Sequence, residues 1–238
     1  MKTKHLIFAA VASLCLLITG SAFVYGQLPS EERKVPSFTG IGIAVAGEVF
    51  LVQGPTQKLV VEGSERVLSD LITEVRGNKL TVRLPNRWNF RRNDELRIYI
   101  TMPEINEISL SGSARLTAES PIEADRMSVA ISGSGRVEID DFEASQLDVS
   151  ISGSGRLNLG GSRGVGDSRI AISGSGRYES STMPSEKVSA TISGSGSCRV
   201  YALSDLNVRI SGSGNVIYTG QPLIDARISG SGKVVNNN

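Results

Sequence analysis

Apolar and polar residues alternate along most of the second half of the chain. The alternation is unbroken over residues 129–139 and returns over residues 147–159, 170–178 and 188–200. A period of two is the spacing of a β-strand, whereas an amphipathic helix needs apolar residues three and four positions apart. The pattern therefore predicts strands and no long helix in this part of the protein.

A five-residue motif, Ile-Ser-Gly-Ser-Gly, lies within this alternation. Complete copies begin at Ile131, Ile151, Ile172, Ile192, Ile210 and Ile228, and a degenerate copy begins at Leu110. Successive copies are 18 to 21 residues apart, which is long enough for two or three short strands with their corners and is typical of one turn of a solenoid. We therefore predict an all-β protein, a single-stranded β-helix with rungs of 18–21 residues.

Stacked rungs would lie about 4.8 Å apart and would align the copies of the motif. This predicts ladders of isoleucine inside the coil and of serine outside it. Both glycines of each motif have the inward parity, so we expect them to form a corner or a pinched wall where a side chain would clash.

The first part of the chain is less regular. Residues 80–84 and 96–100 alternate as strands, and residues 64–71 suggest one helical turn or a bent connection. We expect residues 38–104 to form an irregular start of the same β-helix, ahead of the Ser-Gly repeat array at residues 105–238. A two-domain arrangement is the alternative that the sequence leaves open.

The N-terminus has the features of an export signal. Lys2 and Lys4 precede an apolar run over residues 6–18, and small residues follow it. We predict a signal peptide over residues 1–26, then a polar lead segment at 27–37 and a mature chain without a transmembrane segment. The protein is therefore expected to be exported, either to the cell surface and outer membrane or to the periplasm.

Loss of the signal peptide changes the charge and the available chemistry. The full chain has a formal net charge of +1, and removal of Lys2 and Lys4 leaves −1, which gives no general attraction to nucleic acid or anionic membrane. The single histidine, His5, is lost with the signal, so histidine-dependent triads and histidine-bound zinc are excluded. Cys198 is the one remaining cysteine, and its inward parity predicts a buried, inert thiol.

The order of several sequence blocks resembles a known family. Residues 38–41, 49–54 and 59–63 come first, and residues 105–114 then carry the degenerate copy that opens the Ser-Gly array. This combination is similar to the head GIN domain of autotransporter adhesins. The resemblance covers nearly all of the mature chain. It implies a β-helix similar in shape to pectin lyases and a role in cell adhesion.

Enzymatic function is the least favoured alternative. The repeated Gly-Ser-Gly triplets do not suit a nucleophile elbow, which occurs once and needs a base. Lyase-like chemistry would need carboxylate-bound calcium beside a basic residue. The residues that could supply it are Asp140, Asp141, Glu143 and Asp148, near Arg136 or Arg156. Neighbouring acids at a corner usually face water, so we predict no catalytic residue, no metal and no cofactor.

The positions that follow the motif form a candidate binding surface. Aligned rungs would place four arginines in one outward column, namely Arg115, Arg136, Arg156 and Arg177. A second column would hold Thr117, Glu138, Asn158, Glu179 and Arg199. Such a stripe could bind an acidic or hydroxyl-rich polymer, but Glu138 and Glu179 could also simply neutralise the arginines.

The segment at residues 87–92 is the second candidate because it holds the only tryptophan. Trp88, Phe90 and Arg91 suit sugar rings or a protein partner. In the alternative, the aromatic side chains cap the end of the coil and the arginine stays solvated.

The function that these observations predict is display by a rigid rod. A non-enzymatic cell-adhesion module would present repeated polar and charged ladders to a polymeric ligand, a glycan or a host or matrix surface, through many weak contacts. The alternative is an envelope structural or sensing protein whose rung edges form homo-oligomers. A polysaccharide lyase-like enzyme is less favoured.

Overall fold

The computed structural model describes residues 28–85, 89, 91 and 94–238, so the predicted signal peptide lies outside the described residues. The described chain folds as a β-solenoid of about six turns. The all-β class and the β-helix predicted from the repeat are thereby confirmed.

The elements follow one another in chain order. Ahead of the repeat array they are β1 (Ser30–Glu32), β2 (Gly40–Ala44), β3 (Glu48–Gln53), β4 (Lys58–Gly63), α1 (Glu65–Asp70), β5 (Ile72–Arg76), β6 (Lys79–Arg83) and β7 (Leu96–Met102). In the array they are β8 (Glu107–Gly112), β9 (Arg115–Ala118), β10 (Ile122–Gly133), β11 (Arg136–Ile139), β12 (Phe142–Gly153), β13 (Arg156–Leu159), β14 (Gly164–Gly174), β15 (Arg177–Gly194), β16 (Ser197–Gly212), β17 (Asn215–Thr219), β18 (Leu223–Gly230) and β19 (Lys233–Asn236).

Each turn of the array is built around the motif. A long strand such as β10 carries the first three motif residues, the chain then turns, and a short strand such as β11 leads to the next long strand. β10 and β12 pair in parallel, with Ile131 beside Ile151 and Ser132 beside Ser152. The same register continues through the later copies. The predicted register of isoleucine on isoleucine and serine on serine is confirmed; the isoleucines are buried in every complete copy except the last, and the serines are exposed.

The two glycines of the motif have different roles, which corrects the prediction that both face inward. Gly133 is exposed and has φ of +110°, a conformation that disfavours any side chain. Gly135 is buried, as is Gly155 one turn later, and a Cβ on Gly155 would lie 2.4 Å from Cγ2 of Ile131. The first glycine turns the chain, and the second lets it pass over the isoleucine of the preceding turn. The prediction was wrong for Gly133 because the corner interrupts the strand pleat on which the parity argument depends.

The N-terminal strands do not stack in chain order. β2 lies between β6 and β8, and β3 lies between β7 and β9, all in parallel register. The turn made by β2 and β3 is therefore second in the stack, and the later strands β6 and β7 form the outermost turn.

Antiparallel strands cover this outermost turn. β5 pairs with β6, β4 pairs with β7, and β1 pairs with β4. Helix α1, in the region where one helical turn or a bend was expected, buries Val67 and Leu68. Unpaired parallel edges are prone to accept another strand, and this cap replaces such an edge at the N-terminal end.

Among the described residues, none forms such a cover at the C-terminal end of the array. β18 and β19 pair with β16 and β17 on one side, and no residue of the described chain pairs with their other side. Every residue of β18 is exposed. The last turn therefore leaves an open parallel edge.

Cys198 lies in the core of the array. Its strand neighbours in the adjacent turns are Tyr178 and Val216, and all three side chains are fully buried. Burial raises the pKa of the Cys198 thiol to about 12. The predicted burial of this cysteine is confirmed.

Candidate binding surface

The backbone register brings the four predicted arginines together. Arg115 pairs with Arg136, Arg136 with Arg156, and Arg156 with Arg177. Adjacent strands place these positions about 4.8 Å apart. We call these four residues the arginine column. The column continues through Ser197, Asn215 and Lys233.

Carboxylates neutralise the arginine column only in part. Glu138 lies 3.8 Å from Nε of Arg136. Glu179 instead contacts Arg199 of the following turn, at 3.4 Å, and also accepts a hydrogen bond from the Ser181 hydroxyl. The other three members of the column, Arg115, Arg156 and Arg177, form no ion pair with any described residue. Neutralisation by the second column is therefore incomplete.

The spacing of the column brings like charges near one another in the free protein. Positions on adjacent strands lie about 4.8 Å apart, and two like charges held at that separation would repel by roughly 1 kcal/mol in bulk water. In addition, the Nε atom of Arg156 is buried and has no hydrogen-bond partner among the described residues. An anionic group bound along the arginine column would offset the repulsion between the arginines. It would also offset part of the desolvation of Arg156.

A second ladder runs along the other side of the same corner. We call it the serine column, and its members are Ser111, Ser132, Ser152, Ser173, Ser193, Ser211 and Ser229. All seven are exposed. Their hydroxyl groups form no hydrogen bond with other described side chains or backbone groups. Each of these turns therefore presents a free hydroxyl on one side of the corner. Four of the turns also present a guanidinium group on the other side.

The stacking order of the N-terminal strands extends this surface in a way that the sequence does not reveal. Glu48 pairs with Arg115 on one side and with Arg97 on the other, and the Arg97 and Glu48 side chains lie 3.6 Å apart. In the second column, the rings of Phe50 and Tyr99 stack with centroids 5.1 Å apart. One end of the surface thus carries an Arg–Glu ion pair and two stacked aromatic rings. Only the pairing of β3 between β7 and β9 brings these residues together.

The second predicted site is only partly within the described chain. Trp88 and Phe90 lie outside the described residues. The backbone N–H of Arg91 donates a hydrogen bond to Asp94 at 2.7 Å, and Arg66 donates to the same carboxylate at 2.6 Å. The Arg91 bond is the main cause that holds the pKa of Asp94 below its ordinary value. Arg91 therefore belongs to the capped end and is not a member of the arginine column.

Two of the four acidic residues considered as possible calcium ligands form ion pairs instead. Glu143 lies 2.7 Å from Arg163, and Asp148 lies 3.6 Å from Arg169. Arg163 also contacts Glu123 at 2.5 Å, and the Glu123 carboxylate is the main cause that raises the pKa of Arg163. Glu123, Glu143 and Arg163 line an open groove of about 620 Å³, to which Arg136 and Arg156 contribute nothing. No three metal-ligating side chains meet within the described chain.

Comparison with known protein families identifies the family of this chain. The family described as "Putative auto-transporter adhesin, head GIN domain" matches residues 37–222. The chain belongs to this family. The resemblance found in the sequence is confirmed, and adhesion is the role that the family description gives.

Solved structures share the fold of this head GIN protein. A "putative adhesin" from Bacteroides fragilis is 23% identical, with a TM-score of 0.84 over 89% of this chain and 97% of its own. A "putative adhesin" from Parabacteroides distasonis is 19% identical, with a TM-score of 0.72 over 90% of this chain and 98% of its own. A "putative lipid binding protein" from the same organism is 24% identical, with a TM-score of 0.69 over 90% and 98%.

No protein of curated function matches this head GIN chain. Its family description indicates an exported or surface protein that binds some surface ligand. Within the described part of the chain, no helix has both the length and the apolar character needed to cross a membrane.

Proposed function

We propose that this head GIN protein is an exported, non-enzymatic adhesion module that binds an acidic, hydroxyl-rich glycan along the arginine column. The observation that carries the proposal is the register of Arg115, Arg136, Arg156 and Arg177, of which only Arg136 forms an ion pair with a described residue. The family description supports adhesion. The arginine column and the serine column supply the chemistry that would recognise the ligand.

The geometry favours a polymer over a single small anion. Arginine positions repeat about every 4.8 Å along the solenoid axis, so an extended chain of acidic sugars could meet several guanidinium groups at once. Each contact at an exposed site is weak, but linked contacts raise the effective concentration for one another. The hydroxyl groups of the serine column would bind sugar hydroxyls in the same turns.

Replacement of the three unpaired arginines tests this proposal. The triple variant Arg115→Gln, Arg156→Gln, Arg177→Gln is expected to bind heparin, used as a sulfated polysaccharide probe, at least tenfold more weakly at low salt. Each lost contact should also reduce the salt dependence of binding by roughly one released counterion. Calorimetric titration at several salt concentrations measures both quantities.

A matched variant separates the column from general charge. Arg126→Gln, Arg169→Gln, Arg209→Gln removes the same charge from exposed positions outside the column and should bind heparin nearly as well as the parent chain. Dextran, which carries no charge, should bind far more weakly than heparin. Equal losses in the two triple variants, or no heparin binding by the parent chain, would exclude the arginine column as the ligand site.

Location decides between surface adhesion and the envelope structural or sensing alternative. We propose that residues 1–26 direct export and that the mature domain reaches the cell surface, where it can meet a glycan. Protease treatment of intact cells is then expected to remove the signal of an antibody against the mature chain. Survival of that signal until the cells are lysed would place the protein in the periplasm and would favour the alternative.

A further inference from the structure

The uncovered edge of the last turn is unlike the rest of the surface. Four of the five exposed large hydrophobic residues of the described chain lie there, namely Leu223, Ile224, Ile228 and Val235. Ile228 is the last copy of the core isoleucine and is 44% exposed, whereas Ile210 one turn earlier is 2% exposed. A strand that added to β18 would cover Ile224 and Ile228 and would pair the free backbone groups of β18.

The opposite end of the solenoid cannot supply that strand in the repeating parallel arrangement. β1, β4 and β5 run antiparallel at the N-terminal end, so a head-to-tail stack of copies would not continue the register of the array. The alternative is a two-fold arrangement, in which β18 of one copy pairs antiparallel with β18 of another. Such an arrangement closes after two copies.

The sequence of β18 specifies a register for this pairing. Inward side chains must meet inward side chains, and these are Ile224, Ala226 and Ile228, which continue the buried positions of β16. A two-fold axis at Ala226 places Ile224 opposite the partner's Ile228. The same axis places Asp225 opposite the partner's Arg227, and the reciprocal pair follows by symmetry.

The neighbouring registers are unfavourable for the same residues. A shift that centres the axis on Asp225 places two aspartates opposite each other, and a shift to Arg227 places two arginines opposite each other. Opposite charges across strands stabilise a pair and like charges destabilise it. Both shifts also lose the contact between Ile224 and Ile228, so one register satisfies the apolar and the charged positions together.

We propose that a second copy of this chain covers the C-terminal edge by antiparallel pairing of β18 about a two-fold axis at Ala226. The partner is identified by its self-complementary charges and apolar positions. This inference does not rest on the glycan proposal, because β18 contributes no residue to the arginine column.

Charge reversal at the edge tests the proposal. The purified chain should sediment as a monomer–dimer equilibrium in analytical ultracentrifugation. Arg227→Asp creates two aspartate pairs in the dimer and Asp225→Arg creates two arginine pairs, so each single variant should raise the dimer dissociation constant by roughly tenfold or more. The double variant Asp225→Arg, Arg227→Asp restores opposite charges and should recover the parent constant.

Arg126→Asp is the matched control. Arg126 is exposed and lies on the long strand β10, away from the last turn, so its reversal should leave the dissociation constant unchanged. A chain that stays monomeric at every concentration would overturn the proposal. A dimer that both single reversals leave intact, or open-ended growth into longer assemblies, would also overturn it.

Discussion

Gly153→Ala is expected to lower the free energy of unfolding by about 3 kcal/mol or more, because it combines backbone strain with a steric clash. Gly153 has φ of +103°, which an L side chain rarely adopts. A Cβ at this position would also lie 2.8 Å from the carbonyl oxygen of Gly133 in the preceding turn. That oxygen is part of the backbone and accepts the N–H of Ser154 at 2.9 Å, so it cannot move aside without disturbing the ladder. Urea unfolding followed by circular dichroism measures the loss.

Gly112→Ala is the matched control for the steric part. Gly112 is the same motif position in the first copy, with φ of +108°, but a Cβ there meets no atom within 4 Å. Only the strain of about 1–2 kcal/mol should remain. If the two variants lost the same stability, close stacking of the corners would not be the reason for glycine at this position.

Ile151→Ala is expected to lower the free energy of unfolding by about 3–4 kcal/mol. Ile151 is 1% exposed and lies between Ile131 and Ile172 in the ladder, so its truncation leaves a cavity that neither neighbouring turn can fill. Ile228→Ala removes the same atoms from the open last turn, where the side chain is 44% exposed, and should cost less than about 1 kcal/mol. Urea titration of both variants at low protein concentration, where edge pairing is dissociated, gives the comparison.

A similar cost for both isoleucine variants would contradict this prediction. It would mean that stability does not follow burial along the ladder. The difference should grow smaller at high protein concentration if a second copy covers Ile228, because the last turn would then be buried as well.

Prediction from sequence works in the array because each turn repeats the one before it. The period fixes which residues are neighbours, so alignment of the motifs alone gives the register of Ile131 with Ile151 and of Arg136 with Arg156. The arginine column could be predicted from the sequence for the same reason. The ion-pair partners of the arginines were harder to predict, since the reach of a long side chain is not periodic. Glu179 contacts Arg199 in the following turn, whereas the sequence suggested that Glu179 neutralises the arginine column.

The N-terminal part could not be ordered in the same way. Nothing in the alternation of residues 40–44 distinguishes pairing with the next strands in the chain from pairing with β8, because both are apolar strands of similar length. The antiparallel cap and the contact of Phe50 with Tyr99 follow from that distant pairing. Arg163 joins Glu123 to Glu143, but it lies between the alternating stretches at 147–159 and 170–178, so the period does not predict its contacts.

The stacking order of β2 and β3 also has a consequence for how the chain folds. Within the array each strand finds its partner one period away, so its loop-closure entropy is small and turns can be added one at a time. At the N-terminal end, Ile41 lies beside Ile108, and a long intervening segment must be placed before that contact forms. High contact order slows folding. The part of the domain that is synthesised first is therefore the part whose final pairing must wait for later sequence, and the repeat array provides the template on which it closes.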